Sequence, residues 1–420
     1  MNHNNTTLLP DISRIMKDIE YLARIEHPIH PNGCTRHSFS NEDKIAREYL
    51  LNQITDLGLS IKVDGVGNIR AHYEGSENNA PPILVGSHID TVTSGGAFDG
   101  VVGVMCALEC LRVLKENSVI LKNSIELIVF SEEEGSNFAG TLLGSKTLIG
   151  QIDITKLKEI KNSEDVTAYE ILKDAGYNPA SVGNDTISAN DVKAMLELHI
   201  EQGDILDRAK CTLGVVLAIA GMHTYKVTLT GVSNHAGSTQ MISRHDPLVG
   251  AAEIILLMKQ AAEADPNATA VATVGKIKCY PNSTNAIAGE AEFYVDIRDV
   301  SEKGLERVCE CLNNAVNYIC EKYGLSSTIE LIAKSPIVRL NNDIINIIKQ
   351  SAEELSIPFI EMNSGAVHDS VMLSGITKVG MIFVPSVNGL SHCPEEFTKS
   401  EDILTGCKVL LRTLLLLDEA

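Results

Sequence analysis

The fold is decided by residues 82–115, which read PILVGSHIDTVTSGGAFDGVVGVMCALECLRVLK. The apolar run at 82–87 predicts a buried strand, and the pattern from 100 to 115 predicts a helix. A second apolar run, IELIVF at 125–130, predicts another strand after that helix. Strands that alternate with helices are typical of a largely parallel sheet with helices on both of its faces.

The same alternation continues on either side of this stretch. Residues 43–57 predict an amphipathic helix, and 61–74 predict a strand, a glycine turn and a second strand. Apolar runs that end at Ile200 and at Pro385 predict two further strands. We therefore predict an α/β fold in which helices flank a large mixed sheet.

A different pattern occupies residues 222–334. Segments in which apolar and polar residues alternate predict four strands, and two longer segments with helical periodicity predict two helices. The predicted elements lie, in chain order, at 224–230, 247–263, 271–278, 290–299, 302–323 and 327–334. Their βαββαβ order is that of the ferredoxin-like unit. We predict such a domain at 222–334, inserted into a discontinuous catalytic domain formed by 1–221 and 335–420.

Composition limits the class of protein. The chain has 420 residues, of which 44% are hydrophobic and 21% charged, as in a globular protein with two domains. The net charge of −20, without a dense run of Lys and Arg, argues against a nucleic-acid or anionic-membrane partner. No apolar stretch is long enough to span a bilayer, and residues 1–10 show no export signal. Ten cysteines without a CxxC pair predict free thiols in a reducing cytoplasm.

Acidic and histidine residues cluster near the carboxyl ends of several predicted strands. They are His88, Asp90, Asp99, Glu132, Glu133, Glu134, His199 and His392. In open α/β sheets, ligands bind in the crevice beyond those ends. Three imidazoles with two carboxylates suit Zn²⁺, Mn²⁺ or Co²⁺ better than Mg²⁺ or Ca²⁺.

Each of these residues has a simpler explanation when it is taken alone. His88 and Asp90 could form a surface or capping pair, and a run of three glutamates is often a solvated helix start. His199 or His392 alone could bond to the backbone. Because all of them fall at strand ends, the combination predicts a metal site.

Six segments together identify the family that the chain resembles. They are GSHIDTVTSGGAFDG (86–100), SEEEGSNF (131–138), ELHIEQG (197–203), NHAGSTQM (234–241), SGAVHDS (364–370) and GLSHCPEEFT (389–398). They resemble the amidase/hydantoinase/carbamoylase branch of the M20 metallohydrolases, and the resemblance extends from Ile19 to Leu417. That branch contains N-carbamoyl-L-amino acid hydrolases, allantoate and ureidoglycolate amidohydrolases, and β-ureidopropionases.

The resemblance implies two divalent metal ions that share Asp99 as a bridging ligand. It assigns His88 and His199 to one ion, and Glu134 and His392 to the other. Manganese or zinc is the expected metal, with cobalt and nickel as further candidates. Three protein ligands for each ion leave open positions, as in a catalytic site.

The resemblance also implies roles for the neighbours of these ligands. Asp90 is expected to accept the second ring N–H of His88 and so to fix its tautomer. Glu133 is expected to be the general base, which takes a proton from water and returns it to the leaving nitrogen. Gln202 is expected to contact the ureido group. A metal pair suits this reaction because a urea-like carbonyl is a poor electrophile that needs activated water and polarisation.

The inserted domain is expected to complete the site. The resemblance assigns the oxyanion to His235 and Asn285, which would reach across from the partner subunit of a homodimer, with His223 assisting. The alternative for His235 is an ordinary histidine in a turn. We expect the domain to mediate dimerisation and to close over the substrate as a lid, with hinges near 219–222 and 334–336.

The substrate carboxylate is expected to bind at Arg298, whose guanidinium offers a two-pronged grip. Backbone N–H groups of Gly365 and Ala366 would add to that grip. The alternative is a surface arginine paired with Asp296 or Asp299. In a chain with a net charge of −20, an anionic substrate needs a local cation, which favours the binding role.

The chain departs from the family pattern at Asn137, Ser238, Gln240, Val367 and Ser370. None of these positions is an expected metal ligand. Each lies where the preference for the substrate side chain could change. The departures therefore affect the substrate rather than the type of reaction.

We predict a cytoplasmic, homodimeric metallohydrolase that cleaves N-carbamoyl-L-amino acids to the amino acid, ammonia and CO2. Allantoate is the second candidate substrate, followed by ureidoglycolate and β-ureidopropionate. A less related alternative is an aminoacylase or dipeptidase. A non-catalytic metal-binding protein is a further alternative, although it would have no reason to keep the base Glu133.

Overall fold

The structure is a computed structural model, which describes residues 8–25, 33–77, 79–138, 140–264 and 269–420. Most of the amino-terminal segment in which we expect no export signal lies outside these residues. The chain divides into two compact units. The first contains the residues up to Leu217 with Leu340–Met362 and Val367–Ala420, and the second contains Ala218–Arg339 and Asn363–Ala366.

Helices and strands alternate through the first half of the chain. They are α1 (Ile12–Ala23), α2 (Asn41–Asp56), β1 (Ser60–Val63), β2 (Ile69–Tyr73), β3 (Ile83–His88), α3 (Val101–Glu116), β4 (Ile125–Phe130), α4 (Leu143–Leu148), α5 (Ile154–Glu159), α6 (Ala168–Asp174), β5 (Ala194–Ile200), α7 (Ile205–Ala209) and β6 (Gly214–Ile219).

The second half begins with the elements of the second unit and returns to the first unit at its end. Its elements are β7 (Gly221–Thr230), β8 (Asn234–His235), α8 (Pro247–Glu263), β9 (Val271–Tyr280), β10 (Ala286–Ile287), β11 (Glu290–Asp299), α9 (Glu302–Tyr323), β12 (Ser326–Ser335), β13 (Val338–Arg339), α10 (Asn342–Glu354), β14 (Ile360–Ser364), α11 (Ser370–Leu373), β15 (Lys378–Val384) and α12 (Ser400–Glu419).

The first unit is built on a mixed sheet with the strand order β1-β2-β4-β3-β5-β15-β6. The four central strands, β4, β3, β5 and β15, run parallel to one another. The pairs β1–β2, β2–β4 and β15–β6 are antiparallel. The predicted mixed sheet is therefore confirmed, and its parallel part is limited to the centre. Short connections such as the turn between β1 and β2 produce antiparallel neighbours, since only a long crossover joins parallel strands.

The central helix α3 connects β3 to β4 and is buried along nearly its whole length. It is apolar on all sides because it packs on the sheet and is also contacted by α1 and α12. Its one buried acid, Glu109, is held by Arg14 of α1, with Nη2 2.6 Å from Oε1. This packing fixes the start of α3, which follows directly after Asp99.

The second unit contains a four-stranded antiparallel sheet of order β12-β7-β11-β9. Alternate residues of β11, such as Phe293 and Ile297, are fully buried in a core with side chains of α8 and α9. The order of its main elements is the βαββαβ order predicted from the sequence. A separate two-stranded pair is formed by β8 and β10.

All ten cysteines lie within the described residues, and all are free thiols, as predicted. Among the described residues, no helix combines the length and the apolar character that a bilayer span requires.

Candidate metal centre

Two histidines meet because neighbouring parallel strands end together. β3 ends at His88, and β5 carries His199 one residue before its end. Both side chains are buried, and their rings lie 5.9 Å apart, measured between centroids. The parallel pairing of β3 with β5 therefore brings two imidazoles to one edge of the sheet.

The tautomers of these two histidines follow from their backbone contacts. His88 Nδ1 lies 3.1 Å from the carbonyl oxygen of Asp90, and His199 Nδ1 lies 2.9 Å from the carbonyl oxygen of Ile200. A carbonyl oxygen only accepts, so each Nδ1 must carry a proton. In the neutral rings, each Nε2 is left with a lone pair, which is the form that binds a metal ion.

Asp99 lies between two groups of candidate ligands. Its Oδ1 is 3.1 Å from His199 Nε2 and 3.8 Å from His88 Nε2. Its Oδ2 is 3.1 Å from His392 Nε2. Burial raises the pKa of Asp99, but its contacts with His199 and His392 outweigh burial and hold the pKa well below its ordinary value.

The second group is completed by Glu134, which follows β4. Its Oε2 lies 3.6 Å from His392 Nε2. Burial, followed by the charge of Asp99, raises the pKa of Glu134 to about 7. The ligand atoms of Asp99, Glu134 and His392 all lie within 4.8 Å of one another, as do those of His88, Asp99 and His199. The structure thus brings together the five residues predicted to bind metal.

The donor set fits divalent metal ions. Glu134 Oε1 and His199 Nε2 are buried atoms without a hydrogen-bond partner among the described residues. Buried polar atoms are normally satisfied, and a cation would satisfy both of these. Three imidazoles and two carboxylates also match the preference of Zn²⁺ or Mn²⁺. The residues that would hold two ions are His88, Asp99, Glu134, His199 and His392.

A third group of possible ligands is formed by Glu197, His199 and His368. Both carboxylate oxygens of Glu197 already accept hydroxyl protons, from Ser87 at 2.7 Å and from Ser370 at 2.6 Å. This group therefore supports the strand that carries His199 rather than offering another ion site.

Asp90 holds the turn that carries the two glutamates. Its Oδ1 accepts the backbone N–H of Glu133 at 3.3 Å, and its Oδ2 accepts that of Glu134 at 3.1 Å. The closest acceptor for His88 Nδ1 is the backbone oxygen of Asp90, while the carboxylate lies at 3.5 Å. The side chain of Asp90 thus orients the two glutamates, whereas its backbone oxygen makes the closest contact with the imidazole of His88, for which the resemblance implied the side chain.

Glu133 lies beside the first ligand group, with Oε2 3.9 Å from His88 Nε2. It is 7% exposed. Burial raises the pKa of Glu133 well above its ordinary value, while His88 opposes this shift and Glu134 adds to it. A raised pKa makes the carboxylate a stronger base, which favours a role in proton transfer.

Gln202 is close to the bridging carboxylate. Its Nε2 donates to Asp99 Oδ2 at 2.7 Å and lies 3.4 Å from His392 Nε2. Its backbone has a φ of 59°, which turns the chain immediately after β5. Gln202, the predicted contact residue for the ureido group, therefore contacts the carboxylate of Asp99, which would bridge the two ions.

In the second unit, His235 and Asn285 lie together on the pair β8–β10. His235 pairs with Ala286, and the backbone N–H of Ala236 donates to the backbone carbonyl oxygen of Asn285 at 2.9 Å. His235 Nδ1 accepts two backbone N–H groups, at 3.0 and 3.2 Å. The neutral ring must then carry its proton on Nε2, where it can be donated.

The side-chain oxygen of Asn285 accepts the hydroxyl proton of Ser283 at 2.7 Å. Its amide N–H₂ group remains as the donor of that side chain. His235 and Asn285 can thus both donate a hydrogen bond, and such donors stabilise an oxyanion.

Arg298 lies at the end of β11 with two kinds of partner. Its Nε donates to Asp296 at 2.8 Å, and its Nη1 donates to the carbonyl oxygen of Gly365 at 2.9 Å. Within the second unit, the structure therefore brings Gly365 next to Arg298. The backbone N–H of Ala366, one of the two predicted to bind the substrate carboxylate, already donates to Ser364 Oγ at 3.1 Å.

His223 is separated from Arg298 by the sheet. In the β7–β11 pair, His223 is opposite the buried Ile297, while Arg298 is opposite Met222. Side chains alternate between the faces of a strand, so His223 and Arg298 point to opposite faces. His223 Nδ1 lies 3.3 Å from the thiol of Cys309 on α9. The structure does not bring these two predicted substrate residues together.

Comparisons with known proteins agree with this geometry. The pattern of peptidase family M20/M25/M40 matches residues 84–416. The chain belongs to this family. An N-carbamoyl-L-amino-acid amidohydrolase from Pseudomonas sp. (strain NS671) is 37% identical over 404 residues, covering 96% of this chain and 97% of that protein. An allantoate amidohydrolase from Bacillus subtilis (strain 168) is 33% identical over 392 residues, covering 93% and 94%.

Solved structures support the same assignment of this M20-family chain. A crystal structure described as an amidase of the hydantoinase/carbamoylase family, from Burkholderia multivorans, has a TM-score of 0.89 at 31% identity. The match covers 98% of each chain. The predicted resemblance to that branch is confirmed, and the predicted class of enzyme, a hydrolase of C–N bonds other than peptide bonds, agrees with these relatives.

Sequence reasoning missed several residues that support the site of this M20-family chain. Arg36 is buried, and its Nε donates to the carbonyl oxygen of Ile89 at 2.6 Å, between His88 and Asp90. Glu396 contacts the segment that carries Asp99. Arg36 gives no periodic signal in the sequence, whereas Glu396 lies in the quoted segment 389–398 and could have been found there.

Proposed function

We propose that this M20-family chain hydrolyses the ureido C–N bond of N-carbamoyl-L-amino acids. One water is consumed, and the products are the amino acid, ammonia and CO2. The observation that carries the proposal is the position of Asp99, whose two oxygens face two different groups of ligands. The similar amidohydrolases support the class of reaction.

Two divalent ions held by these residues would polarise the ureido carbonyl and lower the pKa of the attacking water. Glu133 would accept the proton of that water, since its carboxylate is buried beside His88 and is not one of the five ligands. The same carboxyl group would then return the proton to the leaving nitrogen. Asp90 keeps Glu133 in place through the backbone.

In the second unit, we propose that His235 and Asn285 donate to the oxyanion that forms on the carbonyl oxygen. Their side chains support this role because a neighbouring contact fixes each of them as a donor. Arg298 would bind the carboxylate of the substrate, with Asp296 orienting its guanidinium. A Lys in place of Arg298 would lose the second prong of this grip.

The substrate is the finer part of the proposal. The similarity to an allantoate amidohydrolase favours allantoate as the second candidate, since it also carries a carboxylate beside a ureido group. Ureidoglycolate and β-ureidopropionate share that chemistry. The experiment is a comparison of ammonia release from N-carbamoyl-L-methionine and from these three compounds by enzyme loaded with Mn²⁺ or Zn²⁺.

We expect N-carbamoyl-L-methionine to give the highest kcat/KM. A higher value for allantoate would keep the reaction and change the substrate. Faster hydrolysis of a dipeptide would replace the proposal by a peptidase or aminoacylase. No turnover of any compound by metal-loaded protein would favour a binding protein without catalysis.

We also propose a homodimer in which His235 and Asn285 act on the partner subunit's substrate. Two inactive variants test this, Glu133→Gln and His235→Ala. If His235 acts across the dimer, a hybrid of the two variants keeps one complete site. Mixing equal amounts after dissociation should then restore about a quarter of wild-type activity. No recovery, with hybrids present by native mass spectrometry, would place His235 in its own subunit's site.

A further inference from the structure

Glu396 is a buried carboxylate in the loop that follows His392, and it is 4% exposed. Its Oε1 accepts the backbone N–H groups of Phe98 at 2.9 Å and of Asp99 at 3.0 Å. These contacts join the segment that carries the shared ligand to a loop almost three hundred residues further along the chain.

The second oxygen of Glu396 extends this connection to the ligand side chain. Ser391 Oγ lies 2.8 Å from Glu396 Oε2 and 3.1 Å from Asp99 Oδ2, and its one proton can be donated to either carboxylate. Glu396 therefore contacts Asp99 through the backbone, and the Ser391 hydroxyl lies within hydrogen-bond distance of both carboxylates. The backbone contacts restrict the position of Asp99, and the hydroxyl restricts the rotation of its carboxylate.

The same loop holds His392 in an uncommon backbone conformation. His392 follows Ser391 directly and has a φ of 56°, in the left-handed region that residues other than glycine rarely adopt. Such a conformation persists only where the surroundings enforce it. The backbone N–H of Glu396 closes the loop by donating to the carbonyl oxygen of Cys393 at 3.1 Å.

Space around the carboxylate is restricted as well. A Cβ atom at Gly96 would lie 2.0 Å from Glu396 Oε1, so any larger residue there would displace the carboxylate. Phe98 and Phe397, the neighbours of Asp99 and Glu396, pack edge to face with ring centroids 5.7 Å apart. Packing and hydrogen bonds thus fix the same pair of segments.

A simpler role for Glu396 is to cap a loop, since a carboxylate that accepts two N–H groups stabilises a protein at any location. The contacts made by Ser391 argue for more, because they reach the carboxylate of Asp99 itself. We propose that Glu396 is a positioning residue that sets the separation of Asp99 and His392, and so tunes the affinity of the Asp99–Glu134–His392 group for a divalent cation. This inference rests on the proposed function but concerns cation binding rather than turnover.

The experiment measures Zn²⁺ affinity and stoichiometry by chelator competition, and records the visible absorption of the Co²⁺-substituted protein. The variants are Glu396→Ala, Glu396→Gln and Ser391→Ala. We expect Glu396→Ala to bind one of two ions 10- to 100-fold more weakly, on the order seen for outer contacts of metal ligands. Its Co²⁺ spectrum should lose intensity from one site.

Glu396→Gln should stay within about threefold of wild type, because its amide oxygen can still accept both N–H groups and its N–H₂ can donate to Ser391. Ser391→Ala separates positioning from capping, since it leaves the contacts of Glu396 with Phe98 and Asp99 in place. We expect Ser391→Ala to lower the affinity for the same ion and to change Tm little. This variant keeps the test decisive if Glu396→Ala fails to fold.

Asp418→Ala is the matched control. Asp418 is 7% exposed and accepts the backbone N–H of Asn123 at 2.7 Å across a similar distance in sequence, before the amino end of β4. The Asp418→Ala change should lower Tm and leave the affinity for the cations unchanged. Wild-type affinities in Ser391→Ala and in folded Glu396→Ala would overturn the inference while leaving the proposed function intact. Wild-type protein that binds no cation would overturn both.

Discussion

The carboxylate of Asp90 accepts the backbone N–H of Glu134, with Oδ2 3.1 Å from that nitrogen. Its Oδ1 is 3.3 Å from the nitrogen of Glu133, and its backbone oxygen is 3.1 Å from His88 Nδ1. One residue therefore orients a candidate base and two candidate ligands. The buried position of Asp90 makes each of these contacts more valuable, because water cannot replace a lost partner there.

Replacing Asp90 by Asn tests this arrangement. The Asn oxygen can accept only one of the two N–H groups, and its N–H₂ would face the other donor. We expect kcat/KM to fall about 10- to 100-fold, with weaker binding of the metal ions. Steady-state kinetics and metal analysis measure both quantities. Unchanged values would show that the backbone of Glu133 and Glu134 keeps its geometry without Asp90.

Replacing Glu133 by Gln should abolish most of the activity without removing metal. Proton transfer by a positioned side chain contributes about 10²- to 10⁴-fold to a rate, so we expect kcat to fall by that factor. The metal content should stay at the wild-type value, since Glu133 is not one of the five candidate ligands. Glu354→Gln, at an ion pair with Arg412 on the surface, is the control and should be fully active. An active Glu133→Gln enzyme would mean that another group moves the proton.

Replacing His235 by Ala should slow the chemical step more than it weakens substrate binding. Loss of one oxyanion donor costs about 10²- to 10³-fold in kcat. The change leaves the residues of the first unit untouched, so metal content should be unchanged. His245→Ala removes another exposed histidine of the second unit, which contacts the carbonyl oxygen of Tyr323, and serves as the control. A fall confined to KM would instead indicate a role in ground-state binding.

Removing the metal ions should destabilise the first unit. Asp99, Glu133 and Glu134 are acidic side chains at buried or half-buried positions, and the charge of Glu134 acts on Glu133 as that of Asp99 acts on Glu134, so these charges repel without a cation. A ligand present at one hundred times its Kd stabilises a protein by about 2.7 kcal/mol. We expect a chelator to lower Tm and Zn²⁺ or Mn²⁺ to restore it, whereas Mg²⁺ should do less because it prefers oxygen ligands. Equal Tm values with and without chelator would contradict the proposed centre.

Replacing Gly100 by Ala should disturb the metal centre selectively. The added Cβ would lie 2.4 Å from His88 Nε2, and Gly100 has a φ of 65° with a ψ of −44°, a combination outside the left-handed region that other residues can adopt. Gly58→Ala is the control for a positive φ without crowding, because its φ is 67° and no atom lies within 4 Å of the added Cβ. We expect both variants to lose Tm, Gly100→Ala more than Gly58→Ala, but a loss of metal affinity in Gly100→Ala alone. Retained affinity would show that His88 can move without consequence.

Much of the fold could be predicted because its segments have clear periodicity. The alternating run at 290–299 became β11 with matching ends, and the apolar run at 125–130 became β4. The direction of the outer strands could not be read from apolar runs, since it depends on which strands become neighbours. The strand β6 shows this, because it pairs antiparallel with β15, a strand that comes about 160 residues later.

The candidate ligands could be predicted because metal sites use few residue types at strand ends. His88, Asp99 and His199 meet as the sequence indicated. The supporting residue Arg36 could not be predicted in the same way, since it acts through a backbone carbonyl oxygen of a distant segment. The direction of the His223 side chain could not be predicted either, because the face of a strand to which a side chain points depends on register, and this residue faces Cys309.

The strand β15 lies between β5 and β6 in the sheet, although both of them precede it by more than 150 residues. During synthesis on the ribosome, β5 must therefore emerge with one edge unpaired and wait for Lys378–Val384. His392 is translated later still, so a nascent chain holds at most four of the five candidate ligands until residue 392 has been added. Premature termination before β15 would leave an open strand edge for chaperones or proteases to recognise, and no working catalyst.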